Sequence, residues 1–308
     1  MLSRHVRLGL LVELAAWVAI GSWLVLARRW DAASAVALAV AVVLGARLAV
    51  VATSFAMSTV ARSRRETQHR LGPAATVRLV AGEWRAMLAN NFYWLPFEKQ
   101  ALRPDPPLEP AGLMPVVLVH GYLSNRGTLC RLARALDAAG AGPVFVPTLP
   151  AIFQPIERFE EHLCAAIEAI CRATGQPKVV LVAHSMGGLV SRQFLMRRGN
   201  ARVARLVTLG SPHHGTAIAP LGLGANAVQM RIGSDFLAGL AKREGESGPG
   251  IPALSVWTAH DNLVAPQDSS RLAWARAAPI HGVAHLAMLD DSRVHRLVLA
   301  EIAAARAG

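Results

Sequence analysis

One apolar run that stops abruptly at a serine constrains the fold of this chain more than any other feature. Residues 179–183 (VVLVA) are typical of a buried strand, and His184-Ser185-Met186-Gly187-Gly188 is typical of a tight turn. Residues 189–198 then have helical spacing of their apolar positions, so the sequence predicts a strand-to-helix elbow at Ser185. Such an elbow pushes the serine hydroxyl out of the sheet.

Strand-type and helix-type segments alternate from Met114 onward. This alternation predicts an α/β fold, with a mostly parallel sheet covered by helices on both faces. The predicted strands are residues 116–119, 144–148, 179–183, 203–209, 253–258 and 279–283. The predicted helices are residues 128–139, 156–173, 189–198, 269–277 and 292–305. In an open sheet of this kind, functional residues gather at the carboxyl ends of the strands.

Two long apolar segments, residues 8–27 and 33–57, precede the alternating region. Each is long enough to cross a hydrocarbon core of about 30 Å. Each carries one charge, Glu13 or Arg47, and a charge in mid-membrane costs at least about 2.5 kcal/mol, so the two should face each other or snorkel. A signal peptide would have a shorter apolar core and a small-residue cleavage site. A transmembrane helical hairpin over residues 1–70 is therefore the favoured interpretation.

Arginine distribution sets the expected orientation of this hairpin. Arginine occurs outside the two apolar segments at positions 4, 7, 62, 64, 65 and 70, and between them at positions 28 and 29. The positive-inside bias predicts that both ends of the hairpin lie in the cytoplasm. The basic run at residues 62–70 would also attract anionic lipid head groups.

The net charge of +12 raises the question of a nucleic-acid partner. Arginine is spread through the chain without a basic helix, zinc-finger spacing or an aromatic RNA motif, so we expect no nucleic acid to bind. No protein partner can be inferred. Cys130, Cys164 and Cys171 are an odd number without framework spacing, and we predict that they are small buried hydrophobes.

Residues 71–113 are predicted to connect the anchor to the α/β domain, which then covers residues 114–308. Residues 71 to 100 read as helix-rich, with an aromatic face that would lie at the membrane interface or cap the domain. Prolines at positions 104, 106, 107, 110 and 115 mark a stiff linker.

A serine at such an elbow becomes a nucleophile only with a histidine that takes its proton and a carboxylate that fixes the histidine tautomer. Asp261 follows the predicted strand 253–258, and His285 follows the last predicted strand. The order Ser185, Asp261, His285 is that of the α/β-hydrolases. His281 lies at the end of the predicted strand that His285 follows, and it is the alternative base.

Three motifs give residues 114–305 a resemblance to the bacterial lipase and esterase branch of the α/β-hydrolase superfamily. They are Val119-His120-Gly121-Tyr122, Ala183-His184-Ser185-Met186-Gly187-Gly188, and LGSPHHGT at residues 209–216. The usual elbow pattern is G-x-S-x-G, and Ala183 is a mild departure from it. The resemblance implies hydrolysis of acyl esters without a redox cofactor. No acidic cluster indicates a calcium site or another metal site.

The resemblance also assigns roles by position. Ser185 would attack the ester carbonyl, His285 would act as base and then acid, and Asp261 would orient His285. The backbone N–H groups of Tyr122 and Met186 would form the oxyanion hole.

Three further residues, His120, Gly121 and His184, are expected to take part in substrate binding. Between residues 216 and 250 the alternation breaks, and the resembled lipases place a lid or acyl-pocket cover at this point. A plain packed helix pair is the alternative. The apolar residues able to face a lipid chain there are Leu221, Leu223, Val228, Met230, Phe236, Leu237 and Leu240.

The expected function is that of a membrane-anchored serine ester hydrolase, a lipase or carboxylesterase acting through an acyl-enzyme on Ser185. An acyltransferase or thioesterase would use the same residues, and a non-catalytic hydrolase fold serving as a membrane scaffold is the third interpretation. The expected substrate is a lipid or another acyl ester. The expected location is the bacterial inner membrane, with the catalytic domain in the cytoplasm.

Overall fold

Two long helices form a hairpin at the start of the chain. The computed structural model describes residues 2–63, 69–149 and 152–307, so Arg64 and Arg65 of the predicted basic run lie outside the described residues. The hairpin consists of α1 (Leu2–Arg28) and α2 (Ala32–Val60). The connector contains α3 (Pro73–Ala89), a π-helical turn (Asn90–Trp94) and the short α4 (Glu98–Ala101).

The α/β region contains a parallel sheet of six strands. The strands are β1 (Val116–Val119), β2 (Val144–Phe145), β3 (Val179–His184), β4 (Val203–Leu209), β5 (Ala253–Thr258) and β6 (Arg276–Ile280). Their order in the sheet is β2-β1-β3-β4-β5-β6, and every neighbouring pair is parallel. The predicted α/β fold is confirmed.

Helices cover both faces of this sheet. They are α5 (Cys130–Ala138), α6 (Ile156–Thr174), α7 (Met186–Arg198), α8 (Ala225–Gln229), α9 (Asp235–Glu244) and α10 (Ser292–Ala307). Leu118 belongs to the apolar core shared with α5 and α10, whereas Leu181 belongs to the core shared with α6, α7 and α9. The central strands are therefore buried on both sides, which explains their unbroken apolar sequences.

The predicted helix at residues 269–277 is wrong. The chain forms a 3₁₀ turn over Gln267–Ser270 and then enters β6, which begins at Arg276 rather than at Pro279. Among the described residues, strand β6 lies at the edge of the sheet and pairs with β5 alone, so its burial is interrupted and its apolar pattern is weak. The other edge strand, β2, is likewise shorter than predicted. Edge strands carry the weakest sequence signal because one side lacks a partner.

Glu13 and Arg47 join the two helices of the hairpin. Two Arg47 nitrogens each lie 2.5 Å from a Glu13 carboxylate oxygen. The Arg47 guanidinium also lies 5.1 Å from the centroid of the Phe92 ring. The expectation that the two charges face each other is confirmed. Pairing reduces the cost of holding either charge in an apolar environment.

The hairpin exposes most of its apolar surface. Both α1 and α2 are long and apolar enough to cross a membrane, and only 6% and 11% of their apolar windows are buried in the protein. Leu11 and Val12, for example, are 61% and 62% exposed. A core helix of a water-soluble domain would bury such residues.

One end of the hairpin packs against the carboxyl edge of the sheet. On α1, the Ser3 hydroxyl accepts a hydrogen bond of 3.1 Å from the Asn125 side chain, in the loop after β1. On α2, the Ser54 hydroxyl accepts one of 2.8 Å from the Asn262 side chain, in the loop after β5. The two helices therefore contact the loops in which functional residues were predicted.

A buried ion pair fixes the second half of the insertion at residues 216–250. Arg192 on α7 donates two hydrogen bonds, of 2.7 and 2.6 Å, to the Glu244 carboxylate on α9 and a third to the His213 carbonyl. The side chains of Arg192 and Glu244 are 1% and 3% exposed. Leu237 and Leu240 of α9 are buried as well. This half of the insertion is packed as part of the core.

We expect Arg192→Ala to lower the free energy of unfolding by about 3 to 5 kcal/mol, because it leaves the buried Glu244 carboxylate without its cation. Arg202→Ala is the matched control, since it breaks an ion pair with Glu168 in which both side chains are more than a third exposed. It should change stability little. Urea unfolding of detergent-solubilised protein, followed by tryptophan fluorescence, measures both. Equal effects of the two substitutions would contradict a structural role for the buried pair.

Candidate active site

Ser185 lies at the elbow between β3 and α7, in a backbone conformation that residues other than glycine rarely adopt. Its φ is 56° and its ψ is −129°. Its N–H donates to the Leu209 carbonyl at 2.9 Å, which ties the elbow to the end of β4. Ser185 is partly exposed, whereas His184 and Met186 on either side are buried. The positive φ is the strained turn that presents a serine hydroxyl above a sheet.

Two glycines allow the elbow to form. A Cβ on Gly187 would lie 2.5 Å from the Val119 carbonyl oxygen at the end of β1. A Cβ on Gly121 would lie 2.8 Å from the Ser185 Cβ. Both positions therefore require glycine for close backbone approach. Ala183 is fully buried within β3, where its methyl group belongs to the core. The departure from the G-x-S-x-G pattern is thus accommodated.

Asp261 and His285 form a buried pair. The His285 Nδ1 atom lies 2.9 Å from the Asp261 Oδ2 atom, and the two side chains are 3% and 1% exposed. The other Asp261 oxygen accepts the backbone N–H groups of Leu263 at 2.8 Å and Val264 at 2.7 Å. The carboxylate is therefore held by its own loop, which leaves one oxygen directed at the imidazole.

The elbow and the Asp261–His285 pair meet at the same edge of the sheet. The His184 ring, directly before Ser185, lies 4.7 Å from the His285 ring, centroid to centroid. The His184 Nε2 atom is 3.1 Å from the His285 carbonyl oxygen. A Cβ on Gly210, beside the elbow, would be 3.2 Å from Asp261 Oδ2 and 3.3 Å from His285 Nδ1. The structure thus brings Ser185, Asp261 and His285 together.

His281, the alternative base, has different neighbours. Its Nδ1 atom lies 3.5 Å from the Nε2 atom of His260, and its ring stacks on that of His69 at 6.0 Å. Strand β6 ends at Ile280, so His281 begins the loop and His285 follows four positions later, where the chain reaches Asp261. The geometry favours His285.

The three histidines around the elbow differ in proton affinity. Burial lowers the pKa of His120 to about 4 and that of His184 well below the usual range. Burial acts in the same direction on His285, but the charge of Asp261, its hydrogen bond and the charge of Glu83 together raise the pKa of His285 above the ordinary value. His285 is therefore the member of this group suited to accept a proton near neutral pH.

The other predicted site residues surround the elbow in different ways. The His120 side chain is buried and its Nδ1 lies 3.2 Å from the Gly121 carbonyl oxygen. His120 and Gly121 border a small cavity of about 30 Å³ that also contacts Ser3 of α1. His184 is buried against His285, so it supports the histidine loop rather than facing the cavity. The part of the chain that the structure describes contains no group of three His, Cys, Asp or Glu residues that could hold a metal ion.

Sequence reasoning missed three contacts of the site. The Tyr122 hydroxyl hydrogen-bonds both the N–H and the carbonyl of Leu223, each at 2.8 Å, which ties the loop after β1 to the insertion. The Asn262 side chain accepts the His285 N–H at 3.2 Å. Glu83 on α3 accepts the N–H groups that follow His285. Of these residues, Asn262 alone could have been found from the sequence, because it follows Asp261 directly. The contacts of Tyr122 and Glu83 join segments about 100 and 200 residues apart.

Comparison with known proteins agrees with this geometry. A family model described as alpha/beta hydrolase fold matches residues 114–231. A triacylglycerol lipase of Vibrio cholerae serotype O1 is 34% identical over 112 residues, covering 35% of this chain and 35% of that protein. The mature lipase BlEst2 of Bacillus licheniformis has a TM-score of 0.54 at 18% identity and covers 65% of this chain and 95% of its own. Lipase B of Aspergillus fumigatus has a TM-score of 0.54 at 20% identity and covers 62% of this chain and 53% of its own.

The fold is therefore the α/β-hydrolase fold, and the expected resemblance to bacterial lipases and esterases is confirmed. Residues 114–231 of this chain are thus similar to proteins of the α/β-hydrolase fold, and part of the chain is similar to triacylglycerol lipases. The chain spans 35% or less of the length of the curated triacylglycerol lipases that it matches. The solved structures are below 25% identity, so their likeness establishes the fold alone.

We expect His285 to titrate above the ordinary histidine pKa, whereas His120 and His184 stay neutral until strongly acidic pH. Asp261→Asn should lower the pKa of His285, because it removes the negative charge that favours the imidazolium. Nitrogen chemical shifts of ¹⁵N-histidine rings against pH measure these values, with His285→Asn used for assignment. A His285 pKa unchanged by Asp261→Asn would contradict the electrostatic coupling.

Proposed function

We propose that this protein is a membrane-anchored serine ester hydrolase. The observation that carries the proposal is the buried Asp261–His285 pair, with 2.9 Å between Oδ2 and Nδ1, beside the strained elbow of Ser185. A serine hydroxyl, an imidazole with raised pKa and a carboxylate fixed by backbone N–H groups form the arrangement that serine hydrolases use. In this proposal residues 1–70 are the anchor, residues 71–113 the connector and residues 114–308 the catalytic domain.

The reaction would proceed through an acyl-enzyme. The Ser185 Oγ attacks the ester carbonyl while His285 takes the hydroxyl proton, and Asp261 stabilises the resulting imidazolium. His285 then protonates the departing alkoxide as the C–O bond breaks. A water molecule next gives a proton to His285 and attacks the acyl-enzyme. The protonated His285 finally returns that proton to Ser185 as the acid leaves.

The tetrahedral intermediates carry an oxyanion that needs hydrogen-bond donors. Met186 is the first residue of α7, so its N–H has no acceptor within the helix and lies at the positive end of the helix dipole. The Tyr122 N–H belongs to the loop that Gly121 brings against Ser185. We assign these two N–H groups to the oxyanion hole, where loss of one donor typically costs about 2.7 to 4 kcal/mol.

A lipid or another long acyl ester fits the surroundings of the site. Leu123, Phe153, Leu221 and Leu223 expose large apolar side chains. The bonds of Tyr122 to Leu223 and of the Ala225 N–H to the Phe153 carbonyl connect the segments that carry them. Contacts of Ser3 and Ser54 with site loops put the same edge of the sheet against the hairpin. This supports a site that meets its substrate at the membrane surface.

The anchor is the second part of the proposal. Helices α1 and α2 expose apolar surface over most of their length, which water would disfavour and a bilayer would accept. We place them in the bacterial inner membrane. The catalytic domain would lie in the cytoplasm, because the segments before the first span and after the second carry more arginine than the loop that joins them.

Ser185→Ala and His285→Ala should each lower the kcat for hydrolysis of p-nitrophenyl esters by at least about three orders of magnitude. Ser185→Ala should also abolish labelling by a fluorophosphonate probe. The assay uses detergent-solubilised full-length protein and a chain-length series from C2 to C16, so that it measures acyl preference as well.

His281→Ala is the matched control for this experiment, since it removes a histidine from the same loop. It should lose far less activity than His285→Ala. The reverse ranking would transfer the base to His281, and full turnover by Ser185→Ala would refute the nucleophile.

Alkaline carbonate should fail to extract the protein from membranes, because two spanning helices are held by apolar burial rather than by charge. A periplasm-dependent phosphatase fused after residue 308 should be inactive. The same reporter fused at residue 30, between the spans, should be active and serves as the control. An active fusion after residue 308 would contradict the cytoplasmic orientation.

A further inference from the structure

We propose that Glu83 is a positioning residue for His285, supplied by α3 from outside the sheet domain. This inference rests on the proposed role of His285 as the base. Glu83 belongs to the connector that follows the anchor, about 200 positions before the histidine in the chain, and no motif of the sequence singles it out.

The contacts of Glu83 are made with the chain directly after His285. Its carboxylate accepts the N–H of Leu286 at 3.0 and 3.1 Å and that of Ala287 at 2.9 Å. Glu83 is 1% exposed. Both of its oxygens are thus engaged as acceptors by main-chain donors, an arrangement that suits an ionised carboxylate. The carboxylate fixes the turn that sets the direction of the imidazole.

The two sides of the His285 loop are held by different parts of the molecule. Asn262, from the loop after β5, accepts the N–H of His285 itself and is bonded through its amide nitrogen to Ser54 of α2. Glu83 holds the next two N–H groups from α3. Its neighbour Trp84 donates to the Leu44 carbonyl of α2 at 3.3 Å, so α3 is itself fastened to the hairpin. The histidine loop is therefore hydrogen-bonded on one side to the loop after β5 and on the other to α3, which contacts the proposed anchor helices.

Charge is the second contribution of Glu83. The ionisable groups that face His285 are Asp261 from the β5 loop, Glu83 from α3 and His184 from β3. Both carboxylates favour the imidazolium, whereas His184 opposes it when charged. Burial raises the pKa of Glu83 above its ordinary value, although the bonds from Ala287 and Leu286 and the charge of a protonated His285 act to lower it. A negative Glu83 would therefore help to stabilise the protonated histidine that forms during the reaction.

Glu83→Gln tests the charge of Glu83 and Glu83→Asp tests its position with the charge retained, both in the full-length, detergent-solubilised protein. Glu83→Gln keeps the size but removes the charge and one of the two acceptor oxygens, so the acidic limb of the kcat/KM profile against pH should move to lower pH and kcat should fall. Glu83→Asp keeps the charge on a shorter side chain, so kcat should fall by about 10- to 100-fold with KM little changed and the limb in place. Rates are divided by the number of fluorophosphonate-reactive sites, which removes any loss of folded protein.

Glu301→Gln is the control, because Glu301 is a buried carboxylate that pairs with Arg205 and Arg276 at the opposite, amino edge of the sheet. It should leave both the limb and the kcat per reactive site unchanged. A wild-type limb in Glu83→Gln, or a wild-type kcat in Glu83→Asp, overturns the inference. If Glu83→Gln does not fold, the kcat of Glu83→Asp decides. A wild-type protein that neither turns over esters nor takes the probe refutes the proposed function instead.

Discussion

The parallel register of β1, β3, β4 and β5 determines which loops can meet in this molecule. Val119 is opposite Ala183, Ala183 is opposite Thr208, and Leu209 is opposite Val256, so four strands reach the same edge together. The elbow after β3 therefore lies one strand from the glycine loop after β1 and two strands from the aspartate loop after β5, all at the same edge of the sheet. The close backbone approach at Gly187 and Gly121 depends on this register, because a shift of one residue would move each side chain of the strand to the opposite face of the sheet.

Electrostatics then distinguishes side chains that look alike in the sequence. His120, His184 and His285 are all buried near the elbow, and burial disfavours the charged form of each. Only His285 among these three has a fixed carboxylate at hydrogen-bond distance from its ring. Burial without such a partner lowers the pKa of the other two, whereas the pair with Asp261 raises the pKa of His285.

The helices before the sheet contact the loops at its carboxyl edge. Glu13 and Arg47 join the hairpin, Ser54 contacts the neighbour of Asp261, and Glu83 holds the turn after His285. These contacts run continuously from the apolar helices to the loop that carries the histidine. A sheet domain joined to the preceding helices by a free linker would have none of them. The position of the histidine loop consequently depends on how the hairpin packs against the sheet.

The sequence by itself determined the α/β class, the central strands, the elbow and the order of Ser185, Asp261 and His285, because buried central strands and sharp turns leave local patterns. It misread β6 as part of a helix and a later strand, since an edge strand with interrupted burial has little pattern. Only the tertiary structure shows that His285 lies against Asp261 whereas His281 lies against His260, and only it brings Glu83 to the histidine loop. Contacts between segments 200 residues apart arise from packing and hydrogen bonds, and no local pattern encodes them.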